Sequence, residues 1–110
     1  MKVYDTANKL AYEIQNSEEY LKYKDLKNSL MSDAESKNKI EEFERLRYEV
    51  QIAEYTGSEP NGEKSKKLEE MYTMLVQDNK IKEFFDLEVK FNVMIADVNK
   101  IIAESIKDVL

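Results

Sequence analysis

Carboxylates are the most abundant groups in this chain able to do chemistry, and they cluster as Glu41-Glu42-Phe43-Glu44 and Glu69-Glu70. Paired carboxylates can relay protons or hold hard cations. Here they sit among lysines, in positions expected on solvated helix faces. A helical di-iron site needs Glu-x-x-His, and the chain has no histidine. The commonest general base is therefore missing too. There is no cysteine either. Disulfides, thiolate zinc sites, cysteine-ligated iron–sulfur clusters and Ser-His-Asp or Cys-His arrangements are all excluded. The expectation is a protein with no catalytic residue, no metal and no cofactor, and so not an enzyme.

Cations cluster less. Lys22, Lys24 and Lys27 alternate with Tyr20 and Tyr23, the composition of a surface that stacks single-stranded bases. Glu18, Glu19 and Asp25 cancel that field, and no arginine joins it. Across the chain 17 Lys+Arg face 23 Asp+Glu, a net charge of −6. That balance disfavours nucleic acid and anionic lipid as partners. Binding to RNA or a ribonucleoprotein is the alternative function carried forward. Lys64, Lys66 and Lys67 open a helix at the end where cations oppose the dipole. Gly57 and Gly62 lack the spacing and Lys-Ser/Thr ending of a phosphate loop. The five methionines, Met71, Met74 and Met94 among them, suit a core or an adaptable binding surface. No apolar run is long enough to span a bilayer, so no membrane insertion is expected. The start, Met1-Lys2-Val3-Tyr4-Asp5, turns polar at once and has no signal-peptide core. A cytoplasmic location is the expectation.

The elements that would position these groups are helices. Both glycines and the only proline fall in Thr56-Gly57-Ser58-Glu59-Pro60-Asn61-Gly62, which predicts a loop over 56–62. The rest is rich in good helix formers, with no sustained strand alternation. The fold class predicted is all-α: one domain over 1–110, a bundle of about five helices with a long C-terminal one. Their expected spans are about 4–16, 18–31, 34–55, 63–77 and 79–107. Val3, Ala7, Leu10, Ala11 and Ile14 make the first apolar stripe. Ser17 is the expected cap of the second helix, which carries Tyr20, Tyr23, Leu26 and Leu30 on one face. Ser32-Asp33-Ala34-Glu35 reads as a capping box opening the third, lined by Ile40, Phe43, Leu46, Val50 and Ala53. The fourth is expected to bury Leu68, Met71, Tyr72 and Leu75. Asp78 or Asn79 caps the fifth. No Gly or Pro enforces that break, so the last two helices are either separate or one kinked rod.

The fifth helix, about 40 Å long at 1.5 Å per residue, carries the most regular pattern. Ile81, Phe84, Glu88, Phe91, Ile95, Val98, Ile102, Ser105 and Val109 recur in steps of three and four, as in a coiled-coil seam. Leu87, Met94 and Ile101 widen the stripe to an arc able to face two neighbours. The arc is either the core of a monomeric bundle or a surface for a second copy or another protein. The reading adopted is a homodimer or higher oligomer, with Phe84, Phe91, Ile95, Val98 and Ile102 as the seam and a protein partner in prospect. Two charges interrupt apolar faces: Arg47 on the third helix and Glu88 on the fifth. An unpaired buried charge is costly. Either the two pair with each other or both reach solvent at the bundle edge.

The order of features is also familiar. It runs from Val3-Tyr4-Asp5-Thr6-Ala7-Asn8-Lys9-Leu10 through Asn16-Ser17-Glu18-Glu19-Tyr20 to Ala53-Glu54-Tyr55-Thr56-Gly57 before the proline. Asn79-Lys80-Ile81-Lys82-Glu83-Phe84-Phe85 and Ile95-Ala96-Asp97-Val98-Asn99-Lys100-Ile101-Ile102 close it. Over nearly the whole chain this resembles the YlbF/YmcA/YheA family of small helical bacterial proteins, and looks closest to the YheA branch. The resemblance implies an all-α fold, self-association and a cytoplasmic location. It implies a regulatory or adaptor role acting through protein contacts, with no catalytic residues to carry over. Relatives in the YlbF and YmcA branches act in biofilm formation, competence and sporulation, within a complex that steers a membrane-bound endoribonuclease. Some of that complex carries iron–sulfur clusters; this chain, without cysteine, departs there.

Overall fold

Capping side chains decide where this chain starts and stops its helices. In the computed structural model, residues 1–57 and 62–110 are described. They form five α-helices and no strand: α1 (Lys2–Gln15), α2 (Glu18–Met31), α3 (Ala34–Thr56), α4 (Glu63–Leu75) and α5 (Asn79–Ser105). The all-α, five-helix reading with a long last helix is what the structure has. Ser58, Glu59, Pro60 and Asn61, at the centre of the expected loop, lie outside the described residues.

Ser17 caps α2 as expected, its Oγ accepting from the Tyr20 N–H at 3.2 Å. The start of α3 differs from expectation by one residue. The cap is Asp33, not Ser32: its Oδ2 accepts from the Ser36 N–H at 3.1 Å and from the Ser36 hydroxyl at 2.7 Å. A carboxylate is the stronger acceptor at a positive helix end. Ser32 turns back and donates to the Ser29 carbonyl at 2.8 Å. The Ser36 hydroxyl, then its N–H, hold the Asp33 carboxyl below its usual pKa. At the far end of α3, Gly57 takes a left-handed φ of 66° and donates its N–H to the Ala53 carbonyl. That conformation favours glycine, which has no Cβ to collide with its own backbone.

The fourth and fifth helices are separate. Asp78 makes the break, its Oδ1 accepting from the N–H groups of Lys80 at 2.9 Å and Ile81 at 3.4 Å. One short polar side chain thus does what no glycine or proline does here.

The helices gather into two compact units. Asn28–Glu83 holds the end of α2, all of α3 and α4, and the first turn of α5. Its core is Leu30, Ile40, Phe43, Leu46, Val50, Ala53, Leu75 and Ile81, all buried. Every expected apolar position of α3 is in that core. Burying such side chains stabilises by about 1.5–3 kcal/mol each. α4 contributes less than its pattern suggests. Only Leu75 is buried; Leu68 and Met71 are half-buried, and Tyr72 is exposed with its ring 6.2 Å from that of Phe43. A tyrosine can keep its hydroxyl wet while its ring edge covers a core aromatic.

The other unit joins the chain ends, Met1–Lys27 and Phe84–Leu110. Its buried residues are Phe84, Phe85 and Leu87, on the early turns of α5. Tyr23 lies across Phe84 and Phe91, at ring separations of 5.4 and 5.7 Å, and Tyr20 meets Phe91 at 5.9 Å. Beyond Leu87 no residue of α5 is buried, and α1 buries none at all. The first apolar stripe forms as expected, but little covers it: Val3, Ala7 and Ala11 are exposed, and Leu10 and Ile14 half-buried.

Candidate interaction surface

The uncovered part of α5 is built from its own periodicity. Residues three and four apart share a face, so Phe91, Ile95, Val98 and Ile102 continue the row that begins at Ile81 and Phe84. Phe84 is fully buried within the chain. Phe91, Ile95 and Val98 are half-buried, and Ile102 is exposed. The seam residues therefore pass from core to surface along one helix.

A second row sits beside it. Val89 and Val93 are exposed, Ile101 is 70 % exposed, and Met94 is half-buried. With Val98, Glu19, Lys90 and Asp97 they line a shallow groove of about 460 Å³. Val89 and Val93 were absent from the seam read in the sequence. Their i, i+4 spacing with Asp97 and Ile101 was the available signal, and the aspartate in that row hid it.

The two interrupting charges each have a neighbour in their own unit. Glu88 is half-buried and its Oε2 accepts a long hydrogen bond, 3.4 Å, from the Tyr23 hydroxyl. The Arg47 guanidinium lies over the Phe43 ring, 5.6 Å from its centroid. Such a stack lets an arginine stay on an apolar face while its edge remains hydrated.

Two of the three lysines of α2 are engaged locally. Lys22 pairs with Glu18 at 2.6 Å, and the Lys24 ammonium sits 6.0 Å from the Tyr20 ring centroid. The Lys22 partner holds the Glu18 carboxyl below its usual pKa, first by hydrogen bonding and then by its charge. Tyr20 and Tyr23 pack on Phe91.

In the unit 28–83, a cleft of about 400 Å³ lies over Met71, Met74, Leu75 and Ile81, ringed by Lys39, Glu42, Lys67, Glu70 and Asp78. Among the described residues no polar or charged side chain is buried, and no three acidic side chains converge as metal ligands would. No helix among them is long and apolar enough to cross a membrane.

Residues 3–107 match the family model described as control of competence regulator ComK, YlbF/YmcA. The chain belongs to the YlbF/YmcA family. Among curated relatives, a UPF0342 protein of Halothermothrix orenii is 33 % identical over 102 residues, covering 93 % of this chain and 86 % of its own. A UPF0342 protein of Desulfitobacterium hafniense is 33 % identical over 110 residues, covering 100 % and 89 %. A solved structure, a protein of unknown function (DUF964) from Bacillus stearothermophilus, superposes with a TM-score of 0.83 at 15 % identity, over 98 % of this chain and 95 % of that one. The five-helix fold is thus one that an experimental structure also has.

Proposed function

We propose that this protein is a non-enzymatic regulatory or adaptor protein that works in the cytoplasm through helix-mediated protein contacts, self-associating as a homodimer or higher oligomer. The observation that carries this reading is the apolar face of α5 beyond Leu87, where Phe91, Ile95, Val98 and Ile102 lack full cover. Apolar helix surface rimmed by charges is the physical signature of a contact site. Membership of a family whose description concerns control of a competence regulator supports the regulatory class. The RNA-binding alternative requires free stacking faces, and Tyr20 and Tyr23 use theirs on Phe91.

The test is affinity capture from the native cells, with Val98→Glu/Ile102→Glu as the control bait. Protein partners that survive ribonuclease and vanish with the control support the adaptor reading. Partners released by ribonuclease would replace it with the RNA reading.

A further inference from the structure

Thioethers are the only sulfur groups on this chain, which has five methionines and no cysteine. A peroxide that reaches it finds no thiolate, so a methionine sulfur is the softest target. The five are placed very differently. Met31, Met71 and Met94 are half-buried. Met1, 83 % exposed, stands at the chain end. Met74 is 75 % exposed although it lies inside a helix, next to the last residue of α4. It lines the cleft of the unit 28–83 together with Met71, Leu75 and Ile81. Leu75 and Ile81 are core residues of that unit. Met71 is about one turn back on α4 and also lines a smaller cleft with Leu46 of α3. Lys39 and Lys67 line the larger cleft too, and bring ammonium donors to it.

We propose that Met74 is a modification site, oxidised reversibly to its sulfoxide by a peroxide, and that the same oxidation at Met71 loosens α4 from α3. This goes beyond the α5 contact and does not depend on it. In the step, the Met74 sulfur attacks one oxygen of the peroxide. A sulfur–oxygen bond forms and the oxygen–oxygen bond breaks. The departing hydroxide takes the proton left on the transferred oxygen, so the products are the sulfoxide and water. Sulfur loses two electrons and the peroxide gains them. The attack needs a peroxide in contact with the sulfur lone pair. Solvent exposure allows that contact at Met74, and packing hinders it at Met31, Met71 and Met94.

The two methionines differ in what the product does. Oxidation turns a flexible apolar side chain into a polar one that accepts hydrogen bonds. At Met74 water or the ammonium groups of the cleft can satisfy that oxygen, so the helix tolerates it and the cleft becomes more polar. At Met71 the oxygen is brought among Leu46, Leu75 and Ile81, where an unmet acceptor is costly. Met74 can therefore report an oxidant without loss of the fold. Methionine sulfoxide is reduced back enzymatically, and an exposed one is open to the reductase.

The test treats the full chain, its methionine methyls carbon-labelled, with hydrogen peroxide and follows each methyl by NMR. Mass spectrometry of peptides locates the added oxygen. Met74→Leu, a volume-conserving change, identifies the Met74 signal. Met74 is expected to oxidise at least about twofold faster than Met31, Met71 and Met94, as the exposures require. With Met74 oxidised, the Met71 methyl in the same cleft is expected to shift while the Met94 methyl stays. Methionine sulfoxide reductase with a thiol is expected to restore both signals on the folded protein. Glutamine imitates the sulfoxide without peroxide. Met71→Gln is expected to lower the urea midpoint, and Met74→Gln to leave it unchanged. Oxidation of Met31, Met71 or Met94 as fast as Met74 overturns the site. A Met74 sulfoxide that the reductase cannot restore overturns its reversibility. Equal midpoints for Met71→Gln and Met74→Gln overturn the division between the two.

Discussion

Replacing Phe84 by alanine tests which part of α5 is core. Phe84 is fully buried, with the Tyr23 ring 5.4 Å and the Phe85 ring 5.8 Å from its own. Truncating a buried phenylalanine costs about 3–5 kcal/mol, from lost transfer energy and the cavity left behind. Loss of two ring contacts places Phe84→Ala in the upper part of that range. Domains of this size are stable by about 5–15 kcal/mol, so the variant loses about a quarter or more of its margin. The measurement is urea unfolding followed by dichroism, at two protein concentrations a hundredfold apart. The Phe84→Ala loss is expected to be of the same size at both. Ile102→Ala is the contrast, because Ile102 is exposed in the chain. In a monomer it changes stability by less than about 0.5 kcal/mol. With a second copy over that face, the loss grows with protein concentration, because assembly stabilises the folded state by mass action. A Phe84→Ala loss below about 1 kcal/mol would refute the core assignment of the early α5 turns.

Three further outcomes are expected. Gly57→Ala meets no neighbouring atom but must hold φ at 66°, so it loses about 1 kcal/mol from backbone strain alone, read as a shift in urea midpoint; Gly57→Asn should recover part of it. The Asp33 carboxyl is held below its usual 3.8 by Ser36, so its share of stability is complete above that value and fades as pH falls through the lower folded value; protection of the Ser36 amide from hydrogen exchange should decline over that window, and an unchanged protection factor would contradict the cap. Tyr23→Phe removes a long 3.4 Å bond to Glu88 and keeps the ring stack, so it should cost less than about 1 kcal/mol by thermal melting, and a larger loss would mean the hydroxyl matters more than that bond shows.

Much of this fold is legible from residue types because its signals are local. The α3 stripe reads directly as core: Ile40, Phe43, Leu46, Val50 and Ala53 are all buried. Ser17, Gly57 and Asp78 act where their chemistry says they should. The one-residue error at Ser32 arose where two good caps stand side by side, and the helix end chose the charged one. Tyr72 misled because an amphipathic ring satisfies an apolar pattern while staying exposed. The surface was harder to read, for a different reason. Periodicity says that Val3, Ala7 and Ile14 share a face, and that Phe84 and Ile102 share another. It does not say what lies against that face. Phe84 and Ile102 lie on one helix face five turns apart, yet one is core and the other is surface.

The two units differ in how their chain is gathered. Asn28–Glu83 is one continuous stretch, whereas the other unit draws on both ends of the sequence. Neighbouring helices in a continuous stretch can find each other early, because little loop entropy is lost. Tyr20 and Tyr23 must wait for Phe84 and Phe91, which follow the whole of that stretch. During synthesis the N-terminal helices therefore emerge long before their aromatic partners are made. The stripe of α1 is thus open on the growing chain, as most of it still is in the folded one.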